Sequence, residues 1–198
     1  MNEHRPSAAI LTKESLRQKL KDGEIVVSPI LDQDQIGDGS VDVSLGTQFI
    51  TSIRPQVGLI DPIDLTEEKI RSFQKLVVVP FNREFILHPG SFLLGSTFEF
   101  IDLPLDVAGF VVSRSRYGRV GLLVATATYI HPGWKGCLTL ELENLGEVPI
   151  ALRPGSYVGQ LVLARADAVE KPRLKSIPVG PVFSTLKENP RWAALRKK

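Results

Sequence analysis

The sequence predicts a mainly β protein, a sandwich, jelly-roll or barrel, on three observations. From Leu76 to Ala164 the chain strings together short segments rich in Val, Ile, Leu and Phe. Pro-Gly dipeptides punctuate them at Pro89-Gly90, Pro132-Gly133 and Pro154-Gly155, and Pro followed by Gly suits the two central positions of a type II turn. Ser40–Leu45 alternates strictly, with Val41, Val43 and Leu45 on one face and Ser40, Asp42 and Ser44 on the other, the period of a half-buried strand. Many short strands with closely spaced turns fit those architectures.

The elements follow in order. Thr12 to Leu20 reads as a short helix, with Thr12 as N-cap, Glu14 in the first turn and Leu16 and Leu20 on one face. Asp22-Gly23 ends it, so the helix occupies about residues 12–22. Glu24–Ser28 is a strand that stops at Pro29, and Asp32–Gly39 is a polar loop. After the alternating strand, Thr47–Ile53 continues the β character, Pro55–Pro62 is a loop, and Thr66 caps a turn or two of helix reaching Gln74. The later strands are Leu76–Val79, Glu84–Leu87, Ser91–Leu94, Phe98–Ile101, Val107–Val112, Leu122–Thr126, Cys137–Glu143, Pro149–Leu152 and Tyr157–Ala164. Residues 1–165 form the β domain. Residues 166–198, rich in Pro, Lys and Arg, form a tail with a short helix after Pro190 and an apolar contact from Trp192, Ala194 and Leu195. It is placed to pack over an active site, its own or a neighbour's.

Composition narrows the chemistry. The 198 residues bury a real core, and 43% apolar content is that of a globular chain. A net charge of +2 demands neither nucleic acid nor a membrane surface as partner. One cysteine excludes a disulfide framework and fits a reducing cytoplasm, and no apolar run reaches membrane-spanning length. One cysteine and the scattered His4, His88 and His131 also fall short of a zinc-ligand set, so a zinc deaminase or zinc hydrolase is excluded. The absence of G-x-S-x-G weakens a serine triad.

Ser113–Asn144 gathers the residues able to do chemistry. Arg114, Arg116 and Arg119 stand among Ser113, Ser115, Gly118 and Gly121. Guanidinium groups, hydroxyls and glycines are the parts of a triphosphate or carboxylate cradle, although on composition alone a solvated basic loop is the more economical reading. In Cys137–Glu143, period two puts Leu138, Leu140 and Leu142 in the core and Cys137, Thr139, Glu141 and Glu143 on the opposite face. Such glutamates are simply wet unless another subunit covers them; a covered one beside arginines is a candidate general base. Trp134 is a core residue or a platform for a sugar or base. His131 is a turn histidine, and Gln160 a polar interruption in an apolar strand.

Taken together, these segments resemble the dCTP deaminase family, trimeric relatives of the dUTP diphosphatases. The resemblance runs from about Leu11 to about Arg165. It rests on GSVDVSLG at Gly39–Gly46, the segment from His88 to Pro104, RSRYGRVGLLV at Arg114–Val124, HPGWKGCLTLELEN at His131–Asn144 and LRPGSYVGQLV at Leu152–Val162. It implies a distorted jelly-roll or β-sandwich of the dUTPase-like type, assembled as a homotrimer with active sites between subunits. The implied reaction is hydrolysis of dCTP to dUTP and ammonia without zinc. Glu141 falls on the position of the base that activates water for attack on cytosine C4, and Ser115 and Arg119 on positions that stabilise that centre. Arg114, Ser115 and Arg116 match the phosphate-contacting stretch, with Gly118 beside them, and Gln160 matches a residue near the phosphates. Thr139 and Leu140 match the strand backbone that reads the base, and Trp134 the aromatic beside the deoxyribose. Magnesium is expected to arrive on the triphosphate.

Two departures qualify the resemblance. His131 stands where the superfamily usually carries Asp, the residue that prepares water for attack on the α-phosphate in diphosphatases and contacts the sugar in deaminases. The tail lacks both the Gly-rich loop of the diphosphatases and a clear form of the deaminase tail, where Lys187 and Arg191 are the available substitutes. The alternatives are therefore a dUTP diphosphatase, a bifunctional enzyme giving dUMP, or a deoxynucleotide-binding regulatory module.

Overall fold

The computed structural model describes residues 9–53, 59–61, 66–124 and 128–170, the side chain of Glu67 aside. The expectations for the residues between and beyond these, including the helix after Pro190, lie outside the described residues. A first helix, α1 (Lys13–Lys21), starts at Thr12, whose side chain makes no capping bond, and buries Leu16. It closes on Asp22 and on Gly23 at a φ of 73°. β1 (Val26–Ser28) and a single 3-10 turn (Gln33–Gln35) follow, the turn capped by Asp32, which accepts from the Gln35 N–H at 2.9 Å. β2 (Val41–Ser44) and β3 (Gln48–Ser52) lead to α2 (Glu67–Phe73), where the Thr66 hydroxyl accepts from the Lys69 N–H at 3.2 Å as its cap predicts.

Short strands then dominate: β4 (Gln74–Val78), β5 (Phe85–Leu87), β6 (Phe92–Ser96), β7 (Phe100–Asp102) and β8 (Val107–Ser113). One helical turn, α3 (Ser115–Gly118), interrupts them. β9 (Leu122–Val124), β10 (Tyr129–Ile130), β11 (Lys135–Gly136), β12 (Thr139–Asn144), β13 (Ile150–Leu152) and β14 (Tyr157–Arg165) complete the described chain. β10 and β11 are two-residue strands too short to leave a periodic signal.

A four-stranded sheet in the order β10-β8-β14-β2 and a five-stranded sheet in the order β4-β3-β6-β12-β9 form the body. One continuous core joins them: Val41, Val43, Val111, Leu161 and Leu163 from the first meet Phe49, Leu93, Leu140, Leu142 and Val124 from the second. The protein is thus mainly β, with two sheets sharing an interior. Each Pro-Gly turn takes the expected form. Gly90, Gly133 and Gly155 have φ of 68°, 72° and 83°, and the turns close through Ser91 to His88, Trp134 to His131 and Ser156 to Arg153.

Three expectations are corrected. β2 is not half-buried: Asp42 is 9% exposed and Ser44 fully buried, because other polar side chains cover that face. Cys137 is buried rather than outward, since it precedes β12 and lies outside the strand's alternation. The basic segment after Ser113 is not an open loop. Its first residues wind into α3, closed by N–H groups of Tyr117, Gly118 and Arg119 donating back to Arg114 and Ser115.

Candidate active site

Register builds the first half of the site. On the outer face of the four-stranded sheet, Gln160 of β14 stands opposite Val112 of β8 on one side and Asp42 of β2 on the other. Leu161 and Leu163 take the inner face and are fully buried, which turns Gln160 outward. Two residues past Val112 the chain leaves β8 and Arg114 caps α3, its N–H donating to the Val158 carbonyl at 3.1 Å. Arg114 Nη1 then reaches Asp42 Oδ2 in a charge-assisted bond, while Gln160 Nε2 donates to Asp42 Oδ1 at 3.0 Å. Arg114, Arg116, Tyr117, Ser156 and Tyr157 line a cleft of about 410 Å³ beside this triplet.

A second polar layer supports it from below. Glu99, fully buried, accepts from the Ser44 N–H at 2.9 Å, the Ser44 hydroxyl at 2.7 Å and Gln35 Nε2 at 3.1 Å. Gln35 Nε2 also donates to the carbonyl of Asp42 at 2.9 Å. Burial raises the Glu99 carboxyl above its ordinary range, against the hydrogen bonds that pull it down. The Tyr157 hydroxyl donates to Asp32 at 3.2 Å. Burial first, then the neighbouring Asp32 carboxylate, raises its phenol, which therefore stays a neutral donor at the cleft.

The second half of the site lies on β12. Leu140 and Leu142 are fully buried, so Thr139, Glu141 and Glu143 face away from the core, each half-buried. Glu141 stands opposite Leu94 of β6, Thr139 opposite Ser96 and Leu140 opposite Gly95. Among the described residues the Glu141 carboxylate has no hydrogen bond or ion pair, although it stands beside the apolar strand β6. The turn before β12 holds Trp134 half-buried against the core, its indole N–H donating to the Gly136 carbonyl at 3.1 Å. The rings of His131 and Tyr129 meet edge to face with centroids 4.7 Å apart.

α3 connects the two halves, because it carries the chain from β8 in one sheet to β9 in the other. Gly121 fixes the crossing. Its φ is +91°, and a Cβ there would lie 2.7 Å from the Gly146 nitrogen, a conformation and an approach that only glycine accepts. Its carbonyl accepts from the Leu145 N–H at 2.9 Å, just past the end of β12.

Of the residues singled out from the sequence, Arg114 and Arg116 line the same cleft, and Arg114 and Gln160 share the Asp42 carboxylate. Ser115, Gly118 and Arg119 sit exposed on or beside α3. No hydrogen bond or ion pair among the described residues joins Glu141 to Ser115 or Arg119. Glu141 is on the outer face of one sheet and Gln160 on the outer face of the other, and the outer faces of packed sheets look in opposite directions. Sequence reasoning assigned Asp42 only to a polar strand face and did not single out Glu99 or Tyr157. Alternation turns Asp42 away from Val41 and Val43, where a carboxylate is expected to be wet, so the strand pattern carried no signal for its partners.

A family profile described as dCTP deaminase-like matches residues 10–166. The chain belongs to that family. It is 40% identical over 166 residues, 83% of each chain, to an enzyme of Methanosphaera stadtmanae named dCTP deaminase, dUMP-forming. It is 39% identical over 164 residues, 82% of this chain and 80% of the other, to a dCTP deaminase of Halorubrum lacusprofundi. The fold is similar to that of the crystal structure of 2'-deoxycytidine 5'-triphosphate deaminase from Agrobacterium tumefaciens, with a TM-score of 0.60 and 23% identity over 80% of this chain and 48% of that one. As a member of the dCTP deaminase family, the chain is a hydrolytic deaminase. Among the described residues, no helix is long and apolar enough to cross a membrane.

Proposed function

We propose that the protein converts dCTP, taken as its magnesium complex, to a deoxyuridine nucleotide and ammonia, in the cytoplasm, with no zinc. The observation that carries this reading is Glu141: a half-buried carboxylate turned off the core, without a polar partner among the described residues of its own chain, on the strand where the resemblance puts the base. Glu141 takes a proton from water, the hydroxide adds to C4 of the cytosine ring, and the same proton passes to the exocyclic nitrogen. The C–N bond then breaks and ammonia leaves; the proton of the added hydroxyl moves to ring N3, so C4 keeps the oxygen as a carbonyl. Ser115 and Arg119 stabilise the tetrahedral centre. Arg114, Arg116 and Gln160 hold the phosphates, with Gly118 leaving room beside them, the backbone of Thr139 and Leu140 reads the base, and Trp134 and His131 flank the sugar.

Because the two halves lie on opposite outer faces, a site using both needs a second copy, which supports an oligomer with its sites between subunits, the homotrimer that the resemblance implies. Exposed apolar residues on both faces agree with coverage by another chain: Phe110, Val112 and Tyr129 on one, Phe92 and Leu123 on the other.

Two product readings stand. Relatives named dUMP-forming, such as those of Methanosphaera stadtmanae and Halobacterium salinarum, the second 42% identical, favour dUMP and pyrophosphate. His131, in place of the acid expected to prepare water for the α-phosphate, favours dUTP. Incubating the protein with magnesium and dCTP and separating dUTP, dUMP, pyrophosphate and ammonia decides between them. Activity should survive a zinc-selective chelator. Absence of ammonia from every deoxycytidine nucleotide sinks the proposal and leaves nucleotide binding without turnover.

A further inference from the structure

We propose that Asp42 is a positioning residue that aims Arg114 and Gln160 at the phosphates of the nucleotide. The inference rests on the reading of that cleft as the phosphate site. Each carboxylate oxygen of Asp42 is committed to a different donor, Oδ2 to Arg114 Nη1 and Oδ1 to Gln160 Nε2. The three groups come from three elements, β2, the start of α3 and β14, so one carboxylate fixes the relative placement of two donors that no peptide segment shares. Its backbone is held in turn, since Gln35 donates to the Asp42 carbonyl while also bonding the buried Glu99. With Nη1 occupied, the guanidinium has its remaining N–H groups for an anion, in a plane that Asp42 sets.

A negative charge beside an anion site is costly on electrostatic grounds alone, and this gives the inference a sign that can be tested. If Asp42 acted only through its charge, removing that charge would tighten anion binding. If it positions, removing it weakens binding, because Arg114 loses the bond that aligns it.

Binding of inorganic tripolyphosphate to the full-length protein, measured by calorimetry, separates these outcomes. Asp42→Asn is expected to weaken binding roughly tenfold, the loss of one charge-assisted bond's alignment. In an Arg114→Ala background the same substitution is expected to cost at least about threefold less, since coupled residues are not additive. Should Asp42→Asn not fold, Asp42→Ser, which also removes the charge, is measured in its place. Binding equal to or tighter than wild type overturns the inference. Equal losses in both backgrounds overturn it as well, because they mark a merely structural role, and so does a wild-type protein that does not bind tripolyphosphate. Turnover of dCTP by the same wild-type preparation reports separately: with turnover intact, a failed binding result removes Asp42's role and leaves the proposed reaction standing.

Discussion

Ser44 gives both its backbone N–H and its hydroxyl to the fully buried carboxylate of Glu99, at 2.9 and 2.7 Å. Burial nevertheless raises the Glu99 carboxyl above its ordinary range. A carboxyl whose pKa is higher folded than unfolded binds more protons in the folded state, so its contribution is fully present below the usual carboxylate range and is lost as pH rises through the folded value. Glu99→Gln removes that titration. Urea unfolding across mildly acidic to neutral pH should show wild type losing more stability than the variant as pH rises. The variant should also be less stable than wild type at the acid end, because its amide N–H₂ faces groups that already donate.

Glu141 makes no polar contact among the described residues, so replacing it should be nearly silent for folding. Glu141→Gln is expected to leave the unfolding free energy within about 0.5 kcal/mol of wild type. Deamination should fall by roughly 10²–10⁴-fold, the usual weight of a general base. A steady-state ammonia assay beside a thermal melt checks both halves, and an active variant moves the base elsewhere.

Gly121 tests the crossing between the sheets. In Gly121→Ala the new Cβ meets the Gly146 backbone nitrogen at 2.7 Å with φ at +91°, a strain of about 1–3 kcal/mol. Denaturant titration should register that loss. Because the same turn carries the chain from Arg119 onto β9, dCTP turnover should drop further than the fraction unfolded explains.

Asn144 closes β12 and is fully buried. Its amide N–H₂ donates to the Leu87 and Val148 carbonyls, both at 2.9 Å, while Oδ1 accepts from the Gly146 N–H at 2.9 Å. Asn144→Asp turns a carboxylate oxygen against two carbonyls and is expected to cost about 3 kcal/mol or more. Asn144→Ala, which only vacates the site, should be the milder change. Chemical unfolding that ranked them the other way would contradict this assignment.

Local patterns determined much of this protein from the sequence alone. Period two marked Leu140 and Leu142 as core and Glu141 as outward, and the three Pro-Gly pairs marked turns that the glycines' positive φ bears out. The cap at Thr66 was legible for the same reason, since its hydroxyl bonds an N–H three residues away. The family resemblance, resting on motifs along one chain, was legible too. What only tertiary structure decided is which distant polar groups meet. Asp42 and Arg114 are 72 positions apart, Asp42 and Gln160 118, and Ser44 and Glu99 55. A hydrogen bond between residues so far apart leaves no periodic trace in a sequence, because strand order and register, not spacing, bring the partners together. Period two therefore assigned Asp42 and Ser44 to an exposed face, whereas Arg114 and Gln160 meet Asp42 there and Glu99 meets Ser44.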